Sequence, residues 1–259
     1  MTINLFRCFF SLILGIPLLL ATMTTAKAIP IGLGLAIDGS GSISSSNFAL
    51  QRDAYVSVLD SVLDLTNPDF EPIAISVHQF ATGVSEIFPL TVIDSQTAKD
   101  NLLNAISNMS QLGTSTNISG AIDTIANALL NFSVTLDRKI IDVSTDGIHN
   151  VGSRSPSTAA SEAVSNGVNQ VNCLGIGAGA NCGFIAGTGS FSIIANNFND
   201  FADALETKLN IEVGGDPTGV PEPGTLVLLF TGIIGLGFIA RRKSGLTVYR
   251  WKECCPIAA

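Results

Sequence analysis

Short apolar runs alternate along the chain with segments whose apolar positions recur at helical spacing. Ile31 to Ile37 reads as a strand that ends at Asp38. From Asn47 to Leu65, Tyr55, Val58, Leu59, Val62 and Leu63 fall at i, i+3, i+4, i+7 and i+8, which predicts an amphipathic helix with Ser44 as its N-cap. Ile73 to Phe80 is a second strand. Glu86 to Ile93 is a third, placed at a sheet edge because Pro89 has no N–H for a ladder. Ala98 to Ile106 reads as a short helix, and Ile118, Ile122, Ile125, Leu129 and Leu130 mark another. Lys139 to Ser144 is a strand running into Thr145-Asp146-Gly147. Pro156 to Ser165 follows as a helix, Val168 to Ile176 and Phe191 to Ile194 as strands. Phe198, Phe201, Ala202, Leu205 and Leu209 give a closing helix. This alternation specifies an α/β fold, a doubly wound and mainly parallel sheet covered by helices on both faces. Such sheets bind ligands outside the carboxyl ends of their strands.

The two ends of the chain break the pattern. Arg7 precedes an apolar run from Phe9 to Leu20, and Ala26-Lys27-Ala28 supplies a small-x-small site, so residues 1–28 read as a secretory signal peptide. Near the other end, Pro221-Glu222-Pro223-Gly224 leads into an apolar stretch and then Arg241-Arg242-Lys243. At 1.5 Å per residue that stretch spans roughly 24 Å as a helix, short for a bilayer unless the cations snorkel. The basic cluster stays cytoplasmic and leaves the preceding domain outside. The expected organisation is therefore a domain over 29–213, a linker over 214–224, a transmembrane helix and basic cluster over 225–243, and a tail over 244–259. The three-part end resembles the PEP-CTERM sorting signal of exopolysaccharide-producing bacteria, with Pro221, Glu222 and Pro223 as its motif. That resemblance implies an exosortase-type processing protease and the inner membrane as partners, followed by release or surface attachment. Residues 244–259, with Cys254-Cys255, run past the point where such signals usually stop.

Composition narrows the function. Between residues 29 and 220, six cations stand against nineteen acidic residues, a net charge near −13. A domain this acidic does not bind nucleic acid, which requires basic patches to neutralise phosphate. It does attract divalent cations. With 2 His in the chain, a His-rich metal site is excluded, and no cysteine spacing supports a zinc ribbon.

The chemistry lies where strands end. Asp38-Gly39-Ser40-Gly41-Ser42 follows the first strand, and its acid and two hydroxyls alternate so that a tight turn points all three into one concavity. Gly113-Thr114-Ser115-Thr116 precedes a helix, and Asp146 closes a strand. Carboxylates and hydroxyls are hard oxygen donors that suit Mg²⁺, Mn²⁺ or Ca²⁺ and not zinc or copper. From about Ile31 to Val213, the arrangement resembles the von Willebrand factor type A domain with its metal-ion-dependent adhesion site (MIDAS). Asp38, Ser40, Ser42, Thr114 and Asp146 match its Asp-x-Ser-x-Ser, threonine and aspartate in order. The resemblance implies direct coordination by Ser40, Ser42 and Thr114, with Asp38 and Asp146 acting largely through waters. Thr116 is the alternative threonine. Phe48 to Arg52 and Ile141 to Gly147, with Asn150, further resemble an uncharacterised bacterial branch of that superfamily.

Cys173 and Cys182 are the only cysteines of the exported segment, and an oxidising compartment predicts a disulfide, the alternative being two buried thiols. His78 reads as structural, and His149 as a side chain near the rim. Gly175, Gly177 and Gly179 lack the spacing of a dinucleotide loop and read as a flexible strand end. The chain is thus expected to be an exported, non-enzymatic binding module that takes an acidic protein or exopolysaccharide ligand. The alternatives are a metal-assisted envelope hydrolase or accessory enzyme with the cation as Lewis acid, and a structural matrix protein; Ser40, His149 and Asp146 would be the members of a separate Ser-His-Asp hydrolase. No Gly-x-Ser-x-Gly elbow supports the hydrolase.

Overall fold

The computed structural model describes residues 31–68 and 70–214. The expected signal peptide, sorting motif, transmembrane segment and tail lie outside them. Among the described residues, no helix is long and apolar enough to cross a membrane.

Six strands form one sheet: β1 (Gly32–Asp38), β2 (Ile73–Phe80), β3 (Val84–Ile93), β4 (Lys139–Thr145), β5 (Gln170–Ile176) and β6 (Ser192–Ala195), in the order β3-β2-β1-β4-β5-β6. All neighbours pair in parallel except β3, which runs antiparallel to β2 at the edge. Pro89 explains that position: Ile75 pairs with Thr91 and Val77 with Phe88, so Pro89 and Leu90 bulge out opposite Ser76.

Helices α1 (Ser45–Val62), α2 (Gln96–Ser107) and α5 (Phe201–Val213) cover one face, and α3 (Ile118–Leu130) and α4 (Pro156–Ser165) the other. β1 shows how residue size sets this packing. Leu33, Leu35 and Ile37 point into the first core, while Gly32, Gly34 and Ala36 face α3. A Cβ on Gly34 would stand 2.0 Å from Ile125 Cγ2, so the bare strand is what lets α3 lie close to the sheet. Side-chain oxygens of Ser44, Ser95, Asn117 and Ser155 accept from backbone N–H groups in the first turns of α1 to α4.

Several boundaries differ from expectation by one to three residues, and two of them have a clear local cause. β5 begins at Gln170 and not Val168, because Val168 N–H still bonds to Ala163 O in the exit from α4, where Gly167 takes φ +112°. α5 begins at Phe201, since Asn196, Asn197 and Asp200 form a hydrogen-bonded turn and Phe198 only packs against the core.

On the α5 side, the first core encloses a charged cluster. Lys208 Nζ lies 2.5 Å from both Asp142 Oδ1 of β4 and Glu212 Oε1 one turn further along α5. Asn172 Nδ2 donates to the same Glu212 oxygen at 2.7 Å. Lys208, Asp142 and Glu212 are all fully buried.

Cys173 of β5 and Cys182 are joined by a disulfide with Cα atoms 5.6 Å apart. The loop it closes returns to the end of β4: Asn181 N–H donates to Gly147 O at 3.3 Å, and a Cβ on Gly179 would be 3.1 Å from Asp146 O. The glycine-rich segment therefore serves close approach between two loops. Replacing both cysteines with alanine is expected to lower unfolding free energy by about 2–3 kcal/mol, as a loop of this length implies. Urea denaturation checks this; an unchanged midpoint refutes it.

Candidate metal centre

β1 and β4 are adjacent parallel strands, so Asp38 and the Thr145-Asp146 pair leave the sheet at the same end. Asp38 is fully buried, and both its oxygens are engaged. Oδ1 accepts from Ser40 N–H at 2.8 Å, and Oδ2 from Thr145 Oγ1 at 2.6 Å. Ser40 Oγ and Ser42 Oγ are 3.0 Å apart, and Ser42 Oγ donates to Asp146 Oδ1 at 2.6 Å. Carboxylate, hydroxyl, hydroxyl and carboxylate thus follow one another across two loops, running from a buried floor to an exposed Ser42.

Loop 111–116 is clamped onto this turn through its backbone. Gly41 N–H donates to Thr114 O at 2.8 Å, and Gly113 N–H to Gly39 O at 2.7 Å. A Cβ on Gly41 would meet Thr114 O at 3.1 Å and N at 3.2 Å, which is why glycine stands between the two serines. Gly113 and Thr114 both adopt positive φ, +76° and +75°. For a β-branched residue this is strained backbone, held here by the clamp.

The two candidate threonines part company at this point. The exposed Thr114 hydroxyl pairs with Thr82 Oγ1 at 2.6 Å, on the β2 side of the loop. Thr116 is 3 % exposed, and its hydroxyl shares the space above Gly147 with Ser42. A Cβ on Gly147 would be 3.6 Å from Ser42 Oγ and 3.8 Å from Thr116 Oγ1. Asn150 holds Thr116 from both sides, accepting its N–H at 2.8 Å and donating its own N–H to Thr116 O at 3.0 Å.

Other supports left little mark in the sequence. Gln111 Nε2 donates to Ser40 O and Ile43 O at 3.0 and 2.8 Å, and Gln51 Nε2 to Asp38 O at 2.8 Å. Gln51 sits fully buried on the apolar face of α1, a polar interruption that is the one visible signal of such a role. His149 accepts Ile118 N–H on Nδ1 at 3.2 Å, at the start of α3, and burial holds its pKa below the usual value. His78 is buried in β2, with Nε2 3.7 Å from Glu86 Oε2.

The donor set fits a hard divalent cation. Burial pushes the Asp38 pKa up, with hydrogen bonds from Ser40 and Thr145 opposing and the Asp146 charge adding to the rise. A buried carboxylate beside a second one is a place where positive charge is favourable. Among the described residues, no group of three or more Asp, Glu, His or Cys side chains is placed to hold a metal, so an ion here would depend on the hydroxyls.

A sequence profile described as a protein of unknown function, DUF1194, matches residues 28–217, most of the chain. The chain belongs to the DUF1194 family. A second profile, the PEP-CTERM protein-sorting motif, matches residues 219–243 behind the DUF1194 domain and marks the chain for export and envelope sorting. No curated protein matches it. Solved structures share the fold. Proximal thread matrix protein 1 from the mussel byssus is 22% identical over 70% of this chain and 47% of its own, with a TM-score of 0.58. A second structure of that protein is described as having a zinc-occupied MIDAS motif, TM-score 0.55. The pilus adhesin SpaC from Lactobacillus rhamnosus GG matches at 13% identity over 71% of this chain and 30% of its own, TM-score 0.57. A von Willebrand factor type A protein from Catenulispora acidiphila matches at 15% over 72% and 43%, TM-score 0.56. The DUF1194 chain spans less than half the length of each. Identities this low establish the fold alone, and that fold is von Willebrand factor type A-like.

Proposed function

We propose that the DUF1194 domain is a metal-ion-dependent binding module, sorted to the cell envelope, whose site takes a carboxylate from a partner. The observation that carries this reading is the unbroken run from Asp38 through Ser40 and Ser42 to Asp146, with Thr116 beside it. Ser40, Ser42 and Thr116 would hold the ion directly, with Asp38 and Asp146 behind them. When bound, a divalent cation supplies an electrophilic position that an acidic group can fill. The chain's own residues do the rest. Thr145 and Ser40 N–H fix the Asp38 carboxylate, Gln111 pins the serine turn by its carbonyls, and Asn150 sets the height of Thr116. A site organised this way meets its ligand with little reordering.

Magnesium or manganese suits these donors best; the zinc in the byssal protein's motif makes zinc a cation to titrate as well. A binding role is favoured over hydrolysis because Ser42 donates to a carboxylate, Asp146, and His149 spends Nδ1 on a helix amide, so no imidazole is hydrogen-bonded to either serine hydroxyl. The tail supports processing by an exosortase-type protease and delivery to the envelope or surface.

Residues 29–219 are expected to bind one Mg²⁺ or Mn²⁺, and Ser42→Ala to weaken that binding at least about 10-fold, the scale on which such shells act. Isothermal titration calorimetry checks this, and equal affinity in both proteins ends the reading.

A further inference from the structure

Away from the metal centre, the buried charges under α5 are arranged for a reaction of their own. We infer that the Lys208 amine condenses with the Asp142 carboxyl into an intramolecular amide, a covalent bond between α5 and β4, with Glu212 as the proton carrier. The inference is independent of the metal reading.

Proximity is the first reason. Lys208 Nζ lies 2.5 Å from Asp142 Oδ1 and 2.5 Å from Glu212 Oε1. It donates a hydrogen bond to Glu212, whereas neither Asp142 oxygen accepts one. β4 is paired on both sides, and α5 is docked through Leu205 and Leu209, which are buried in the first core. Packing therefore holds amine and carboxyl together and supplies the effective concentration that a bimolecular condensation lacks.

The medium is the second reason. Lys208, Asp142 and Glu212 are all at 0% exposure, and the Phe191 ring centre is 5.3 Å from the amine. In water, hydration of the ammonium and carboxylate ions opposes their condensation, and a buried site withholds that hydration. Two carboxylates against one ammonium also leave excess negative charge in a core that solvates it poorly. Amide formation removes one ion of each sign. Glu212, which accepts from the Asn172 amide at 2.7 Å, remains as the ionisable carboxyl of the cluster.

Glu212 is the third reason. The Asp142 and Glu212 charges outweigh burial and hold Lys208 protonated, so the amine must shed a proton before it attacks. Glu212 touches that amine, and burial, reinforced by the Asp142 charge, raises its pKa to about 7, suited to taking and returning protons near neutrality. The balance closes within the cluster. Glu212 relays one Nζ proton to an Asp142 oxygen, and the freed nitrogen adds to Asp142 Cγ. A second Nζ proton follows through Glu212 to the same oxygen, the Cγ–O bond breaks and water leaves. The third proton stays on the amide nitrogen, and Glu212 ends as it began.

Such a bond has a use in this chain. α5 ends at Val213, and the sorting motif begins at residue 219. Tension on an anchored tail would reach α5 before any other described element, and the amide would pass it to the centre of the sheet.

The test is peptide mapping by tandem mass spectrometry on the full chain, purified in detergent, held at neutral pH and reduced before digestion. The expected product is a branched peptide joining the segments around Asp142 and Lys208, lighter than their sum by one water. Lys208→Arg keeps the positive charge and should return the two segments unlinked. Glu212→Gln should slow linkage at least about 100-fold, the scale of general acid–base catalysis. Unlinked Lys208 and Asp142 in the folded, unaltered chain would overturn the inference, as would a branch to Asn172 with loss of ammonia in place of water. Linkage at an unchanged rate in Glu212→Gln would overturn the role given to Glu212. The unaltered chain decides the bond itself, so the test stands even where a variant fails to fold.

Discussion

Lys208→Met is expected to destabilise residues 29–219 by about 3–5 kcal/mol at pH 8, the largest effect of any single substitution considered for this domain. Removing one member of a buried ion cluster leaves its partners charged and uncompensated in a medium that solvates them poorly. Here the partners are two carboxylates, Asp142 and Glu212, both at 0% exposure. They are faced by Lys208 on α5, by the Asn172 amide from β5 and, more distantly, by the Tyr55 phenol from α1, whose hydroxyl is spent on Ser144. Burial, reinforced by the Asp142 charge, raises the Glu212 pKa from 4.5 to about 7, against the pull of Lys208. A carboxyl with a raised folded pKa holds its proton more tightly in the native state. Its contribution to stability is therefore complete below about pH 4.5 and lost as pH rises through about 7. Two results follow in urea denaturation at pH 5 and pH 8. Unaltered protein should lose stability over that interval relative to Glu212→Gln, and the Lys208→Met penalty should shrink at pH 5, where Glu212 can neutralise. A penalty that is small, or equal at both pH values, would show that α5 is held by its apolar contacts alone.

Thr116→Val is expected to reduce Mn²⁺ affinity by about 10- to 100-fold, while Thr114→Val leaves it within twofold. Valine keeps the shape and removes only the hydroxyl, so the comparison isolates the oxygen. Thr116 Oγ1 shares the pocket above Gly147 with Ser42 Oγ, whereas Thr114 Oγ1 is turned to Thr82. Thr114 should matter differently. Its positive φ is strained for a β-branched residue, so Thr114→Gly is expected to stabilise the loop slightly and leave the metal in place. Calorimetric titration of the three variants decides the assignment; loss of affinity with Thr114→Val and none with Thr116→Val would reverse it.

Much of this site could be read from one dimension because its parts are local. Asp38, Ser40 and Ser42 fall within a single turn after a buried strand, and alternate side chains on such a turn share a side whatever surrounds it. Asp146 was equally legible, since the carboxyl end of a central strand is a position that topology itself defines. The threonine was not. Thr114 and Thr116 are two residues apart on an irregular loop, and which of them faces the serines depends on φ at Gly113 and Thr114 and on the Asn150 contacts. The supports from Gln51 and Gln111 reach back 13 and 71 residues to backbone carbonyls, and no periodicity marks a partner at such separations.

The charged cluster under α5 shows the same division. Lys208 and Glu212, spaced i and i+4, look in sequence like a solvated surface pair. Helix docking turned them inward onto Asp142.

The order of strands and helices, the edge position of the Pro89 strand and the acidic turn after β1 follow from residue size, hydrogen-bonding capacity and short-range periodicity. These properties travel with the chain. The threonine facing the serines, the burial of Lys208 and its pairing with Asp142 exist only once distant segments are packed. Each depends on the orientation of one element against another, and that orientation is settled by the whole core at once.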